Sequence, residues 1–325
     1  MLFTVIAAPM EGLIAYYSFD GEDIGIDDSG NGHHAIHHNV VPVEGMSGFA
    51  GQFLQDSGMI VDSLNNFAWG DQFTISLWFR RTGLWGDYVP LANNSVDNQP
   101  SWTVQGGREQ GGGVVWGGVA SFGDQNVDDA GPANAEQDRW NHVALVYSRG
   151  NGFLIVNGHP HPFRRPEHGR LISRPGPVFI GTGWWQGNRL QYEGMMDEVR
   201  IYNRALSGPE INALSVDVAA SSTIPESDRS PVRALPPTLA AMVQSAFTGG
   251  STASSQPSKP VPPPVVSRPA ETAPPPDARW WSNEPEEKLP DDIEDAELAR
   301  KWIEMWKEGK RQAVVDDLNK RANER

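Results

Sequence analysis

The feature that most constrains the fold is the stretch at residues 138–160, in which two apolar runs alternate with turn-forming residues. Residues 148–152 (SRGNG) have the composition of a turn, and the dipeptide Asn157-Gly158 accepts the positive φ angles of a tight hairpin. Alternate side chains of the first run would share one face of a strand: Trp140, His142, Ala144 and Val146. The pattern predicts antiparallel strands and a β-rich domain.

Three short motifs follow one another along the chain, at residues 140–144 (WNHVA), 155–158 (IVNG) and 194–207 (GMMDEVRIYNRALS). In this order and at this spacing they resemble the laminin-G-like branch of the concanavalin A-like lectin and glucanase superfamily. The resemblance implies an all-β, antiparallel jelly-roll sandwich, which we assign to residues 10–215. It specifies the function much less, because one fold can carry many different sites.

The composition changes after the sandwich. Residues 216–279 contain half of the 26 prolines of the chain, mixed with Ser, Thr and Ala, which predicts an extended linker. Residues 280–325 predict a short helical tail, and residues 1–9 form a separate N-terminal segment. Trp302, Met305 and Trp306 lie at helical i, i+3, i+4 spacing. Because this apolar stripe has no core of its own, we expect the tail to dock in a groove of another protein or to self-associate. The competing interpretation is that the tail folds back on the sandwich.

The charge and the cysteine count exclude several classes of protein. The formal net charge is −15, which argues against a nucleic-acid partner. The absence of cysteine excludes a disulfide scaffold and a thiolate metal site. No apolar run approaches the roughly 20 residues of a membrane-spanning helix, and residues 1–10 lack the positive charges of a signal peptide. The sequence does not determine the cellular location of the protein, although the domain type favours a cell surface, the extracellular space or a virion.

A calcium site is predicted where the first and last strands of the sandwich would meet. Hard cations prefer clustered oxygen ligands. The candidate ligands are Asp20, Asp28, Asn31 and Asp197. The resemblance implies a structural calcium ion at this junction, held by the Asp before the EVRIY strand and by loop carbonyls. In the alternative interpretation, the Asp and Asn side chains only cap turns.

Aromatic residues in or near loops are candidates for sugar binding, because aromatic rings stack on the apolar faces of sugars. These candidates are Trp85, Tyr88, Trp102, Trp116, Trp184 and Trp185. Adjacent residues of an extended segment point in opposite directions, so Trp184 and Trp185 cannot both face the core. The alternative is that these rings seal a large sandwich.

A catalytic centre is not predicted. Glucanases of the superfamily place two Glu and one Asp on a single strand as E-x-D-x-x-E, and the sequence contains no such run. The nearest acidic residues are Glu136, Asp138, Asp197 and Glu198. His142 matches a structural position of the family and is expected in the core. The sequence therefore favours a non-catalytic, carbohydrate-binding module. Two alternatives are a structural or protein-interaction domain of a virion or cell-surface assembly and, more weakly, a glycoside hydrolase.

Overall fold

The computed structural model describes residues 8–82, 89–96, 99–109, 112–119, 130–163, 171–185 and 188–235. The first strands are β1 (Leu13–Tyr17), β2 (Ile36–Glu44), β3 (Phe49–Val61), β4 (Gln72–Arg81), β5 (Val89–Val96), β6 (Gln99–Glu109), β7 (Gly112–Val119) and β8 (Ala130–Ala135). The later strands are β9 (Asn141–Ser148), β10 (Asn151–Val156), β11 (His159–Pro162), β12 (Val178–Ile180), β13 (Thr182–Trp185), β14 (Asn188–Gln191) and β15 (Gly194–Tyr202). Two short helices follow, α1 (Gly208–Asn212) and α2 (Val218–Ser221), with a π-helical turn at Ala213–Asp217 between them. The predicted all-β, antiparallel fold is confirmed.

The main strands form two layers. Sheet I comprises β11, β10, β9, β4, β15 and β1, in that order. Sheet II comprises β2, β3, β12, β5, β6, β7 and β8. Strand β15 connects the layers, because it pairs with β4 along its length and with β3 at Gly194, Met195 and Met196. Strands β13 and β14 form a separate two-stranded sheet.

The hairpin that dominates the sequence forms as predicted. Strands β9 and β10 pair in register from Asn151↔Ser148 to Val156↔Val143. Asn157 (φ 49°) and Gly158 (φ 77°) then turn the chain into β11, and both adopt the left-handed conformation expected of this dipeptide. The hairpin therefore supplies three consecutive strands of sheet I.

The main core lies between the two sheets. The inward face of β4 supplies Phe73, Ile75, Leu77 and Phe79, all fully buried or nearly so. Sheet II contributes Met59, Val61, Trp102, Val104, Val178 and Ile180. Fully burying one such side chain contributes about 1.5–3 kcal/mol to folding, so this layer of apolar side chains is the principal source of stability.

A second, smaller core covers the outer face of sheet I. It is made by residues 203–235, which we call the strap, together with outward-facing residues of β9, β10 and β15. Leu206, Ile211 and Leu214 of the strap are buried against the sheet. Trp78 lies beneath them, and its indole Nε1 donates a hydrogen bond of 3.1 Å to the Leu214 carbonyl. The Trp on the second face of β4 is thus covered by protein and does not line a binding surface.

The strap extends the domain beyond the predicted end at residue 215. Backbone hydrogen bonds of 2.8 Å run from Trp140 N–H to the Asp228 carbonyl and from Ser230 N–H to the Trp140 carbonyl. The Ser230 hydroxyl also lies 2.9 Å from Asn141 Oδ1, and Leu235 is buried. Residues 216–235 therefore belong to the sandwich, which corrects the predicted start of the linker. Their prolines prevent long helices, but spaced apolar anchors hold the chain in place.

The predictions for residues 236–279 and for the tail at 280–325 concern residues outside those described, as do Trp302, Met305 and Trp306. Within the part of the chain that the structure describes, no helix has the length and apolar character needed to cross a bilayer.

Candidate functional sites

Two carboxylates from opposite ends of the domain converge on the turn between β2 and β3. Asp20 Oδ1 accepts a hydrogen bond of 2.6 Å from the Phe49 N–H, and Asp197 Oδ2 accepts one of 3.0 Å from the Ser47 N–H. The turn is residues 45–48 (GMSG), which we call the GMSG loop. Asp20 follows β1 and Asp197 lies within β15, so the predicted junction of the first and last strands is formed.

Glycine is required at both ends of the GMSG loop. A Cβ atom at Gly45 would lie 2.6 Å from Asp197 Oδ2, and one at Gly48 would collide with the Asp20 carboxylate. Gly48 also has a φ of 64°, which disfavours other residues. The loop backbone therefore approaches the two carboxylates too closely for a residue with a Cβ atom at position 45 or 48.

Several acidic side chains lie close together at the junction. Asp197 is fully buried, and burial together with the nearby Glu198 and Asp20 carboxylates raises the pKa of its side chain. Its two hydrogen bonds come from the backbone N–H groups of Ser47 and Glu198. Glu198, by contrast, forms an ion pair of 2.5 Å with Arg200.

Tyr16 completes the environment of this ion pair. Its hydroxyl donates a hydrogen bond of 2.6 Å to Glu198 Oε1, and the Arg200 guanidinium carbon lies 3.9 Å from the centroid of its ring. Glu198 and Arg200 are both buried. Glu198 is therefore held by a cation and a phenol, whereas Asp197 is held by amides.

Asp28 and Asn31 have a different role from Asp20 and Asp197. Asp28 Oδ2 accepts hydrogen bonds from the N–H and the hydroxyl of Ser18, at 3.2 and 2.6 Å. The Asn31 amide nitrogen donates to the carbonyls of Leu13 and Ile14, each at 2.9 Å. These contacts hold the loop at residues 27–32 against β1. Asp28 and Asn31 thus cap turns, as in the alternative interpretation of the predicted ligands.

Among the described residues, no three side chains of His, Cys, Asp or Glu converge on one point. A cation at the junction would therefore need oxygen ligands besides Asp20 and Asp197, and the hydrogen bonds that these carboxylates accept here come from the N–H groups of Ser47, in the GMSG loop, and Phe49, just after it. Sequence reasoning missed this loop. Its two closely spaced glycines were the available indication.

A second candidate site is the outer face of sheet II. The register places Phe179 opposite Asn93, and Asn93 opposite Thr103. Two residues after Thr103, and therefore on the same face of β6, Gln105 lies opposite Trp116. Trp116 is partly exposed, and the side chains that alternate with this face, Trp102, Val104 and Val115, belong to the main core. Gln105 is also partly exposed, whereas Asn93, Thr103 and Phe179 are buried, so among these residues the accessible part of the face is Trp116 with Gln105.

Trp102 is the predicted sugar-binding residue that the structure contradicts. It is fully buried, and its ring packs edge-on against Trp69 with centroids 5.1 Å apart. The reason is strand alternation, because Trp102 points to the opposite side of β6 from Thr103 and Gln105. The alternation of residues 101–105 (SWTVQ) could have identified Thr103 and Gln105 as the outward residues.

The hairpin of β13 and β14 borders this outer face. Asn93 Nδ2 donates a hydrogen bond of 2.9 Å to the Thr182 carbonyl. Arg189 donates to the carbonyls of Asp56 and Ser57, at 3.1 and 3.0 Å. These bonds connect the hairpin to β5 and β3.

The remaining aromatic candidates can be placed only in part. The backbone of Trp184 and Trp185 lies in β13, paired with Arg189 and Asn188. Trp85, Tyr88 and the side chains of Trp184 and Trp185 lie outside the part of the chain that the structure describes. The structure therefore places one predicted ring, Trp116, on the outer face of sheet II.

His142 is a core residue, as predicted. It is fully buried beneath the strap, and its Nε2 lies 3.0 Å from the Ser76 hydroxyl. Burial, with a smaller effect from the positive charge of Arg200, lowers its pKa to about 3. The ring is therefore neutral at physiological pH and contributes packing and one hydrogen bond.

The acidic residues closest to a catalytic pattern are engaged in structural contacts or exposed. Glu136 forms an ion pair with Arg139, and Asp138 is an exposed turn residue with a φ of 57°. Asp197 and Glu198 are buried neighbours at a β-bulge, with different partners. The arrangement differs from a pair of carboxylates facing a common cleft.

This sandwich has the architecture of the jelly-roll lectins and glucanases. Residues 54–212 match the laminin G family model described as "Concanavalin A-like lectin/glucanases superfamily". The matched part of the chain is therefore a laminin-G-type, concanavalin A-like domain, as the sequence motifs predicted. No curated protein matches the chain at a significant level of similarity.

Solved structures with the same fold include sugar-binding and sugar-cleaving proteins. Domain 4 of the extracellular arabinanase AbnA from Geobacillus stearothermophilus, in complex with arabinotriose, has a TM-score of 0.50 and 20% identity, covering 62% of this chain and 98% of that domain. A mutant sialidase from Trypanosoma rangeli with trans-sialidase activity has a TM-score of 0.51 and 18% identity, covering 66% of this chain and 34% of the sialidase. At these identities, the likeness establishes the fold alone.

Proposed function

We propose that the domain is a non-catalytic carbohydrate-binding module that holds its glycan on the outer face of sheet II. The observation that carries the proposal is the pairing of Trp116 with Gln105, both partly exposed on this face. An aromatic ring beside an amide side chain is a usual combination in a sugar site. The arabinotriose complex of a domain with the same fold gives this interpretation a concrete ligand to test.

The proposed ligand class is a neutral glycan. The partly exposed side chains named on the outer face, Trp116 and Gln105, are uncharged, and the formal charge of the chain is −15. An acidic sugar would meet an unfavourable overall field and would need a cation that these residues do not provide. The Arg189 guanidinium at the border already forms an ion pair with Asp56 at 3.5 Å.

We also propose that Asp20 and Asp197 hold a structural calcium ion together with backbone carbonyls of the GMSG loop. Three acidic side chains, Asp20, Asp197 and Glu198, affect one another at the junction, and Arg200 pairs with Glu198. A divalent cation would offset the remaining negative charge and connect the segments that begin and end the sandwich. Asp28 and Asn31 would support the neighbouring loop without binding the ion.

The binding proposal is tested with a glycan array probed by the full chain, followed by titration with arabinotriose and a panel of other neutral oligosaccharides. We expect binding of at least one neutral glycan and no release of reducing sugar from any bound polysaccharide. Release of reducing sugar would favour the hydrolase alternative. Absence of binding across the array would favour a structural or protein-interaction domain of a cell-surface or virion assembly. Protein binding by residues 280–325 stays a separate prediction, tested by capture of a partner with the tail.

A further inference from the structure

Strand β8 adds an exposed amide to the outer face of sheet II. The register of β7 and β8 places Asn134 opposite Val114, two residues before Trp116. Its neighbours along the chain, Ala133 and Ala135, belong to the main core, so Asn134 points outward, and its side chain is exposed. The outer face therefore carries a polar side chain on the β8 side of Trp116 as well.

The ring of Trp116 lies between two amides that come from the strands on either side of β7. Gln105 of β6 is directly opposite Trp116, and both side chains are partly exposed. Asn134 is the diagonal neighbour of Trp116 on β8, at a separation of about 7–8 Å that long and aromatic side chains can bridge. Because adjacent strands are about 4.8 Å apart, the strands that carry the two amides are about 10 Å apart. A sugar ring stacked on the indole would thus have an amide on each side.

The main chain of β8 also fixes the position of the Trp116 ring. A Cβ atom at Gly131 would lie 3.1 Å from Trp116 Cδ1 and 2.6 Å from the Val115 carbonyl oxygen. This close approach occurs where the register of β7 and β8 shifts, between Val115 and Gly117. The indole therefore lies against the strand that carries Asn134, and the distance between the ring and this amide is set by paired strands.

We propose that Asn134 determines which neutral sugar the domain selects, by hydrogen bonding to a hydroxyl of the sugar that stacks on Trp116. This inference rests on the proposed function. An aromatic ring binds the apolar face that many sugars share, whereas an amide presents a donor and an acceptor in defined directions. Asn has fewer rotatable bonds than Gln and loses less rotamer freedom when it is held, so Asn134 is the more selective of the two amides.

The test is the binding of the full chain to an array of neutral oligosaccharides that includes arabinotriose, xylotriose, cellotriose and mannotriose. The Kd of each bound glycan is then measured by titration calorimetry. Cellotriose and mannotriose differ in the configuration of one hydroxyl on each sugar ring. The spread of Kd values across such related glycans therefore measures selection by hydrogen bonds.

The amide and the ring should have different effects. Asn134→Ala should raise the Kd of the best-bound glycan by about 3- to 10-fold, the size of one neutral hydrogen bond, and that of the weakest-bound glycan by less than about twofold. The spread of Kd values should therefore narrow. Trp116→Ala should instead raise every Kd by a similar factor, because stacking does not depend on a single hydroxyl.

Gln55→Ala is the matched control. Gln55 is an exposed amide of β3, a strand that β12 and β5 separate from β6 in sheet II. The Gln55→Ala variant should bind every glycan as the parent does. Because both side chains are exposed, Asn134→Ala and Gln55→Ala should unfold at the same urea concentration as the parent.

The outcomes separate this inference from the proposed function. If Trp116→Ala weakens binding but Asn134→Ala has the Kd values of the parent, Asn134 is only a solvated residue of β8, and the glycan-binding face stands. A uniform rise in every Kd for Asn134→Ala would mean affinity without selection and would also overturn the inference. If no glycan binds the parent, or if Trp116→Ala binds as the parent does, the proposed face fails, and the role of Asn134 fails with it.

Discussion

Sheet I and sheet II each turn one face to the main core, but their outer faces have different surroundings. On sheet I, the strap buries Trp78 and His142 and satisfies the indole N–H of Trp78 with the Leu214 carbonyl. On sheet II, Trp116 remains partly exposed beside Gln105. Strand alternation supplies an outward Trp in both sheets. Whether such a ring becomes core or binding surface depends on whether a later segment of the chain covers it.

The largest expected difference between the faces comes from the same substitution made on each. Trp78→Ala should lower the free energy of unfolding by about 3–5 kcal/mol, because it leaves a cavity and an unpaired Leu214 carbonyl beneath the strap. Trp116→Ala should cost about 1 kcal/mol or less, since that ring is partly exposed. Urea unfolding measures both values, and equal losses would show that the two faces are equally buried.

Calcium is expected to have the next largest effect. Binding to the folded state alone adds about 2.7 kcal/mol of stability at a hundredfold excess over the Kd. Thermal unfolding in calcium and in EDTA should show this increase for the parent chain and for Asp28→Asn. Asp197→Asn should lose it. An unchanged melting temperature of the parent, or a full calcium response in Asp197→Asn, would contradict the site.

Acid should selectively weaken the covered face. His142 has a folded pKa of about 3, below its ordinary value of 6.5, so the unfolded chain binds the proton first as the pH falls. The stability due to the neutral ring is complete above about pH 6.5 and is lost towards the folded pKa, at about 1.4 kcal/mol per pH unit. This amounts to about 2 kcal/mol by about pH 5.

The control for this effect is His142→Gln, which retains a polar side chain without the titration. Urea unfolding between about pH 7 and about pH 5 should show a shallower loss of stability for the variant than for the parent. Identical slopes would mean that His142 does not remain neutral in the folded protein.

The parts of the fold that the sequence predicted are those with local patterns. Ala144 and Val146 share one face of β9 in the smaller core, as their alternation predicted, and Asn157-Gly158 formed the expected turn. The strap was not predicted because residues 216–235 have the composition of a linker. Its fixed position depends on contacts with distant residues such as Trp140 and Asn141, and a local pattern does not encode these.

The candidate sites show the same division. Asp197 and Asp20 both contact the turn between β2 and β3, whereas Asp28 and Asn31 form hydrogen bonds to β1 and Ser18, and the four-ligand calcium site stays a prediction. Trp102 and Trp116 have similar local composition, and only the register of β6 and β7 separates the core ring from the outward one. Which of the predicted site residues lie close together therefore depends on strand pairing between distant parts of the chain.

The most direct test of the proposed binding face is the affinity of Trp116→Ala for the neutral glycan identified on the array, measured by titration calorimetry. Met10→Ala is the matched control, because Met10 is an apolar residue that is 65% exposed and lies before β1. We expect at least about a tenfold rise in Kd for Trp116→Ala, equivalent to about 1.4 kcal/mol, with an unfolding free energy close to that of the parent and no change for Met10→Ala. Equal affinity of Trp116→Ala and the parent would show that the glycan binds elsewhere and would contradict the account.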